Sequence, residues 1–263
     1  MNWEPAHADH AIDSVTAVIS FAAPVDPNTF DEIVVAGRKA AALHQFVHRV
    51  DGIEPIQIQP GSQVFLDASN MMVHRRRVAF QRHADGAVIG EFTIGTTALI
   101  LASSRYTTWT AFQKMASELI NSLDVASPIL DGVNSIQLQY VDSFTSTAVL
   151  ADHFEVISKT SPYLASALHD KRRAFHCHSG WFDYAEDNRR NLTNINIGVV
   201  DNSPPARADD MSKITILTMS RMEALSGKLN EPLGQLSNSQ GYLKKLFEGI
   251  ITPEAAARIA LND

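Results

Sequence analysis

The sequence predicts an α+β protein in which antiparallel sheets are covered by helices. Three observations lead there. The run "RRVAFQRH-ADG-AVIGEFTI" (76–94) is two alternating segments around Asp85-Gly86, a pair suited to the positive φ of a tight hairpin turn. Residues 14–21 and 135–144 alternate apolar and polar positions with the period of a half-buried strand. Residues 107–123 instead carry Trp109, Phe112, Ala116, Leu119, Ile120 and Leu123 on one helical stripe. Hairpins of this kind argue against a doubly wound parallel sheet.

The elements follow in order. In "SVTAVISF" (14–21), Val15, Ala17, Ile19 and Phe21 share one face of a strand. Asn28 is expected to cap a helix with Asp31 and Glu32 in its first turn, where carboxylates suit the dipole. That helix is expected to run to about Val50 and to include "AALHQFVH". "GIEPIQIQPGSQ" (52–63), interrupted by Pro55 and Pro60, reads as loop or short edge strand. The hairpin follows, and "TTALILA" (96–102) continues it before the helix over 107–123. Pro128 and Gly132 mark a connection to the strand "SIQLQYVDSF", with Ile136, Leu138 and Tyr140 inward.

Further on, Ser161-Pro162 reads as N-cap and first residue of a short helix through Leu168. "AFHCHSGWF" (174–182) and "LTNINIGVV" (192–200) read as paired strands around "YAEDNRR". "DNSPPARADD" (201–210) is an expected linker, and "KITILTMSRM" (213–222) a further strand. Leu229, Leu233, Leu236, Leu243 and Phe247 space as a helix face, which Gly249 ends, and Thr252-Pro253 opens a last short helix. The order is strand, helix, hairpin, helix, then strand, helix, several strands, helix. It reads as a loose internal duplication with its break near 126–133. The expectation is an N-terminal half, 1–127, and a C-terminal half, 128–263, packed as one compact unit.

Composition narrows the function classes. Of 263 residues 45% are hydrophobic and 19% charged, ordinary values for a globular chain whose core needs no staples. One cysteine excludes an intramolecular disulfide and fits a reducing compartment. The start, "MNWEPAHADHAID", has neither a basic segment nor an apolar run, so no secretory signal is expected there, and a cytoplasmic location is. No window has the apolar length of a membrane span, so no membrane partner is expected. A net charge of −7 argues against nucleic acid as a partner, though not against a local basic patch.

Four groups of residues invite a chemical reading. In "FHCHSGWFD" (175–183), strand alternation sends His176 and His178 to one face and Cys177 to the other, with Phe175 and Trp181. One metal therefore cannot take all three, and the thiol has no histidine beside it. "HQFVH" places His44 and His48 at i, i+4 of the expected helix, the spacing of a zincin pair, but Gln45 stands where such a motif has its glutamate base. The four histidines together are the candidate metal ligands. The clusters "HRRR" and "KRR" make Arg75, Arg76, Arg77, Arg172 and Arg173 a candidate basic surface for an anion, and equally a solvated strand end that blocks edge pairing. Trp109, Phe112, Tyr140 and Trp181 are candidate liners of an apolar pocket, while "YTTW" at the start of the best helix also reads as a core staple. No phosphate-binding loop, dinucleotide fingerprint, nucleophile elbow or C-x-x-C is present, and no catalytic residue or cofactor is assigned.

Several stretches resemble a sporadically distributed bacterial protein family of about this length, one with no assigned activity. They are "WEPAHADHAIDSVTAVISF", the block "VAFQRHADGAVIGEFTIGTTALILASSRYTTWTAFQKMASELINSL", and "LFEGIITPEAAARI". "SIQLQYVD" occupies the place of a family strand of the type R-x-x-L-R-Y-x-N but lacks its arginines. The resemblance implies an accessory role, such as a component of a mobile defence or toxin-linked locus. Three readings follow. The first is a cytosolic binding or interaction protein without chemistry of its own, partnered by a protein or by itself. The second is a small-molecule or peptide-binding module with an apolar pocket. The third is a histidine-based metal-dependent enzyme.

Overall fold

The structure, a computed structural model, describes residues 2–53, 76–123, 132–148, 151–168, 174–185, 188–200, 211–224 and 232–259. Its strands are β1 (Glu4–Pro5), β2 (Ile12–Phe21), β3 (His48–Ile53), β4 (Arg76–Ala84), β5 (Ala87–Gly95), β6 (Ala98–Ser103), β7 (Val133–Ser146), β8 (Phe175–Tyr184), β9 (Arg189–Val200) and β10 (Ser212–Ala224). Four α-helices accompany them among the described residues: α1 (Pro27–Leu43), α2 (Trp109–Asn121), α3 (Pro232–Glu248) and α4 (Pro253–Arg258). The strands hydrogen-bond in the order β3-β4-β5-β6-β2-β7-β10-β9-β8, with β1 on β7. The neighbours β3/β4, β4/β5, β5/β6, β8/β9 and β1/β7 are antiparallel. An antiparallel sheet with helices is thus the architecture, with sheet the larger share. No helix among the described residues is long and apolar enough to cross a membrane.

The chain forms two compact units: Met1–Val15 with Gln137–Met222 and Leu236–Asp263, and Thr16–Ile136 with Glu223–Gln235. Both take segments from each side of residues 127/128.

In the unit built on Thr16–Ile136, α1 and α2 pack on each other and α1 on β4 and β5. Phe30 and Ile33 of α1, Phe80, Phe92 and Ile94 of the hairpin, and Phe112 and Leu119 of α2 are buried. Turn residues Asp85 and Gly86 have φ of 53° and 80°, so both adopt the left-handed conformation this turn demands. A β-bulge interrupts the ladder between Arg82 and His83.

The first helix corrects two expectations. Its N-cap is Asp26, not Asn28: the Asp26 carboxylate accepts from the N–H groups of Asn28 and Thr29, and Pro27 takes the first helical position, where no N–H is needed. It stops at Leu43 rather than near Val50. Gln45 turns left-handed at φ 64°, its N–H donates to Ala42 O, and the N–H of Phe46 donates to Ala41 O. That is a Schellman ending, closed by burial of Phe46. Residues 48–53 then leave as strand β3.

In the other unit, Trp3, Leu138, Phe144, Ile195, Ile197, Ile214 and Ile216 are buried, as are Leu243, Leu246 and Phe247 of α3 and Ala255 of α4. Thr252 caps α4, accepting from the N–H of Ala255. The helix expected from Ser161-Pro162 is absent; turns lead to a three-residue 3₁₀ segment at Ser166–Leu168. The buried Ser161 Oγ accepts from the N–H of Tyr163, favouring a turn over helix propagation. Leu229, most of 52–63 and the linker 201–210 lie outside the described residues.

Candidate functional site

A groove of about 540 Å³ lies within the unit built on Thr16–Ile136. Its size falls in the range of small-molecule sites, roughly 300–1,000 Å³. Six elements meet there. The Schellman ending of α1 brings His44 and Gln45, and the β4 bulge brings Arg82. β5 supplies Ile89, the end of β6 Ser103, and the β6–α2 loop Arg105 to Thr108. Helix α2 adds Ala111, Phe112, Lys114, Met115 and Glu118.

Local chemistry holds each part. Thr108 caps α2, its Oγ1 accepting from the N–H of Ala111 at 3.2 Å. Ser103 Oγ accepts from the N–H of Arg105 at 3.3 Å, and the N–H of Ser104 donates to Ile89 O at 3.1 Å, fixing the loop to β5. His44 Nε2 stands 3.1 Å from Glu118 Oε2, tying the end of α1 to α2. Lys114 reaches the same carboxylate at 3.9 Å.

Arg82 is held differently. Its guanidinium lies over the Phe46 ring, 5.3 Å from the centroid. The opposing glycine, Gly90, allows this packing: a Cβ there would stand 3.0 Å from Phe46 Cε1. Arg82 Nε is buried and has no hydrogen-bond partner among the described residues. Arg105 pairs at 3.2 Å with Asp85, whose exposure leaves that attraction largely screened. The lining therefore carries Arg82, Arg105, Lys114 and His44 against one carboxylate, Glu118, in a chain whose net charge is −7.

The candidates from sequence are distributed as follows. His44 and Phe112 line the groove. Trp109 is half-buried beside Phe112, ring centroids 5.9 Å apart. Tyr140 is buried on β7. Trp181 stacks on Tyr163 at 5.7 Å and donates to Asp183. His44 and His48 do not share a helix face, because α1 ends between Leu43 and Gln45; His48 lies in β3 against the His83 ring, at 4.5 Å. His176 and His178 are exposed on β8 and Cys177 is buried on its other face, as alternation requires. His176 meets Asn196 of β9. No group of three or more His, Cys, Asp or Glu among the described residues is placed to hold a metal ion. Arg76 pairs with Asp31 at 2.9 Å and lies over Phe30, while the Arg77 chain covers Gly52. Arg75, Arg172 and Arg173 lie outside the described residues.

Sequence reasoning missed Arg82, Arg105, Lys114 and Glu118. One signal was available: "SSRYTT", a hydroxyl-rich run with one arginine between strand and helix, is the kind of loop that carries binding groups. It also missed Asp142, 3% exposed on β7 in the other unit. Burial first, and the negative charge of Asp13 second, push its carboxyl up to about 8. Asp13 itself is held by Lys213 Nζ at 3.3 Å and by the Ser143 hydroxyl at 3.1 Å. No family model, no curated protein and no solved structure matches the chain.

Proposed function

We propose that the protein is a binding module that takes up a small anionic ligand in the groove between β4, β6 and α2. The observation that supports this reading is the lining itself. Three cationic side chains and a histidine face one carboxylate, and Arg82 has an inner N–H left without a partner. An arginine fork recognises carboxylate or phosphate with two parallel hydrogen bonds. Ile89, Ala111, Phe112 and Met115 offer an apolar wall for the rest of the ligand. Because the whole chain is acidic, selection is local rather than by long-range steering. The wider reading, an accessory protein without chemistry of its own at a mobile defence or toxin-linked locus, rests on the resemblance noted in the sequence.

Calorimetric titration with a panel of aliphatic and aromatic carboxylates and phosphate monoesters tests the proposal. At least one class is expected to bind, with affinity falling about tenfold or more in Arg82→Ala, the loss of a charge-assisted hydrogen bond. Arg82→Lys is expected to recover only part, since an ammonium cannot form the fork. No binding by any anion, or binding indifferent to Arg82→Ala, overturns it.

A further inference from the structure

Strand β3 ends the strand order, paired on one side with β4 from His48↔Gln81 to Ile53↔Arg76. Among the described residues no strand pairs its other side. It also exposes large apolar side chains beside its charged ones. Val47, Val50 and Ile53 are 66%, 43% and 57% exposed. Of the ten large hydrophobic residues exposed among those described, five (Val35, Leu43, Val47, Val50 and Ile53) belong to α1, β3 or the turn between them. An exposed apolar edge of this sort is a template for another strand.

The order of residues along the edge says which strand fits. The segment is Val47-His48-Arg49-Val50-Asp51-Gly52-Ile53. Turned end for end about Val50, it is complementary to itself. We propose that two copies of the protein join by antiparallel pairing of β3 with β3 about a two-fold axis at Val50. In that register Val50 faces Val50 of the partner subunit, Arg49 faces Asp51 of the partner subunit, and Val47 faces Ile53 of the partner subunit. His48 faces Gly52 of the partner subunit. Directly opposed residues in an antiparallel pair lie on the same face and interact, so each of these matches is a contact.

The charges select this register as well as permitting it. Within one chain Arg49 and Asp51 already lie on one face, 2.7 Å apart. Moving the axis to Arg49 opposes two arginines, and moving it to Asp51 opposes two aspartates; both arrangements repel. Charged residues that would block edge pairing with an arbitrary strand therefore admit this one. A shallow depression lined by Val34, Val35, Arg38, Lys39, Ala42 and Arg49 lies beside the edge, so the Val47–Ile53 pairs would form on the face shared with α1. The interface is isologous, as two-fold dimers require.

Sedimentation velocity over a wide range of protein concentration reads the outcome. The wild-type chain is expected to show a concentration-dependent dimer. Val50→Lys sets two ammonium groups against each other on the axis and is expected to leave a monomer. Arg49→Asp alone and Asp51→Arg alone are each expected to dissociate it, and the double reversal R49D/D51R to restore it, which a general loss of folding would not do. Val50→Cys is expected to cross-link on mild oxidation while the wild type, whose one cysteine is buried, does not. A wild-type chain that stays monomeric at every concentration, with no cross-link from Val50→Cys, overturns the proposal. So does a dimer that survives Val50→Lys and both single reversals.

Discussion

Gly37 of α1 lies so close to Ile94 of β5 that a Cβ at position 37 would overlap Ile94 Cδ1. Ile94 is fully buried, and Leu123 Cδ2 would stand 3.4 Å from the same Cβ. The helix and the hairpin approach each other through the absence of one methyl group.

Gly37→Ala should therefore destabilise the protein, although alanine is the better helix former by about 1 kcal/mol. Overpacking a closed core costs about 1–3 kcal/mol, which outweighs the propensity gain. Ile94→Val in the same chain removes the obstructing methyl and should recover part of the loss. Chemical denaturation of the two single variants and the double variant measures the coupling; additive effects would refute the contact.

The helix ending makes an opposite prediction for a glycine. Gln45 holds φ 64°, a region where a side chain costs about 1 kcal/mol and glycine nothing. Gln45→Gly should raise the melting temperature by a few degrees, because the Schellman hydrogen bonds of Gln45 and Phe46 use only the backbone. A fall in melting temperature would show that the Gln45 side chain contributes more than its strain.

Asp142 predicts a pH dependence with a definite sign. Its folded carboxyl titrates at about 8, above the ordinary 3.8, because burial first and Asp13 second oppose its charge. Between these values the folded chain keeps a proton that the unfolded chain has released. Stability should thus fall as pH rises from about 4 to about 8, by roughly 1 kcal/mol per pH unit from this group, and level off above. Asp142→Asn, which stays neutral, should flatten that slope and be the more stable protein at pH values near 8. Denaturation curves across this range decide it, and an unchanged slope in the variant would remove Asp142 as the cause. Lys213, bound to Asp13, is unaltered in both proteins, so the difference between them isolates the one carboxyl.

Thr252 supplies a test of the short C-terminal helix. Its Oγ1 accepts from the Ala255 N–H at 3.2 Å and donates to Glu155 O at 2.8 Å. Thr252→Ala should cost about 1–2 kcal/mol and Thr252→Ser much less, since serine keeps both bonds. Equal losses in thermal denaturation would mean that the methyl group, not the hydroxyl, matters there.

What was legible in the sequence was local. Val15, Ala17, Ile19 and Phe21 announce β2 because side-chain alternation needs only the strand's own geometry. The same rule places His176 and Cys177 on opposite faces of β8. Asp85-Gly86 specifies the β4–β5 turn, and the stripe from Phe112 to Leu119 specifies α2. Alternation from Ile136 through Tyr140 even points inward at Asp142, an ordinary-looking carboxylate until its parity is read. The end of α1 was not legible, because a left-handed glutamine follows no strong propensity and is secured by burial of Phe46 beneath Arg82. The groove was not legible either. His44, Arg82, the pair Ser103 and Arg105, and Glu118 come from four stretches of chain, and each looks like a solvated residue within its own stretch. Periodicity reports how a segment divides its own faces; only packing of α1 and α2 on the hairpin decides which polar groups of distant segments face the same space.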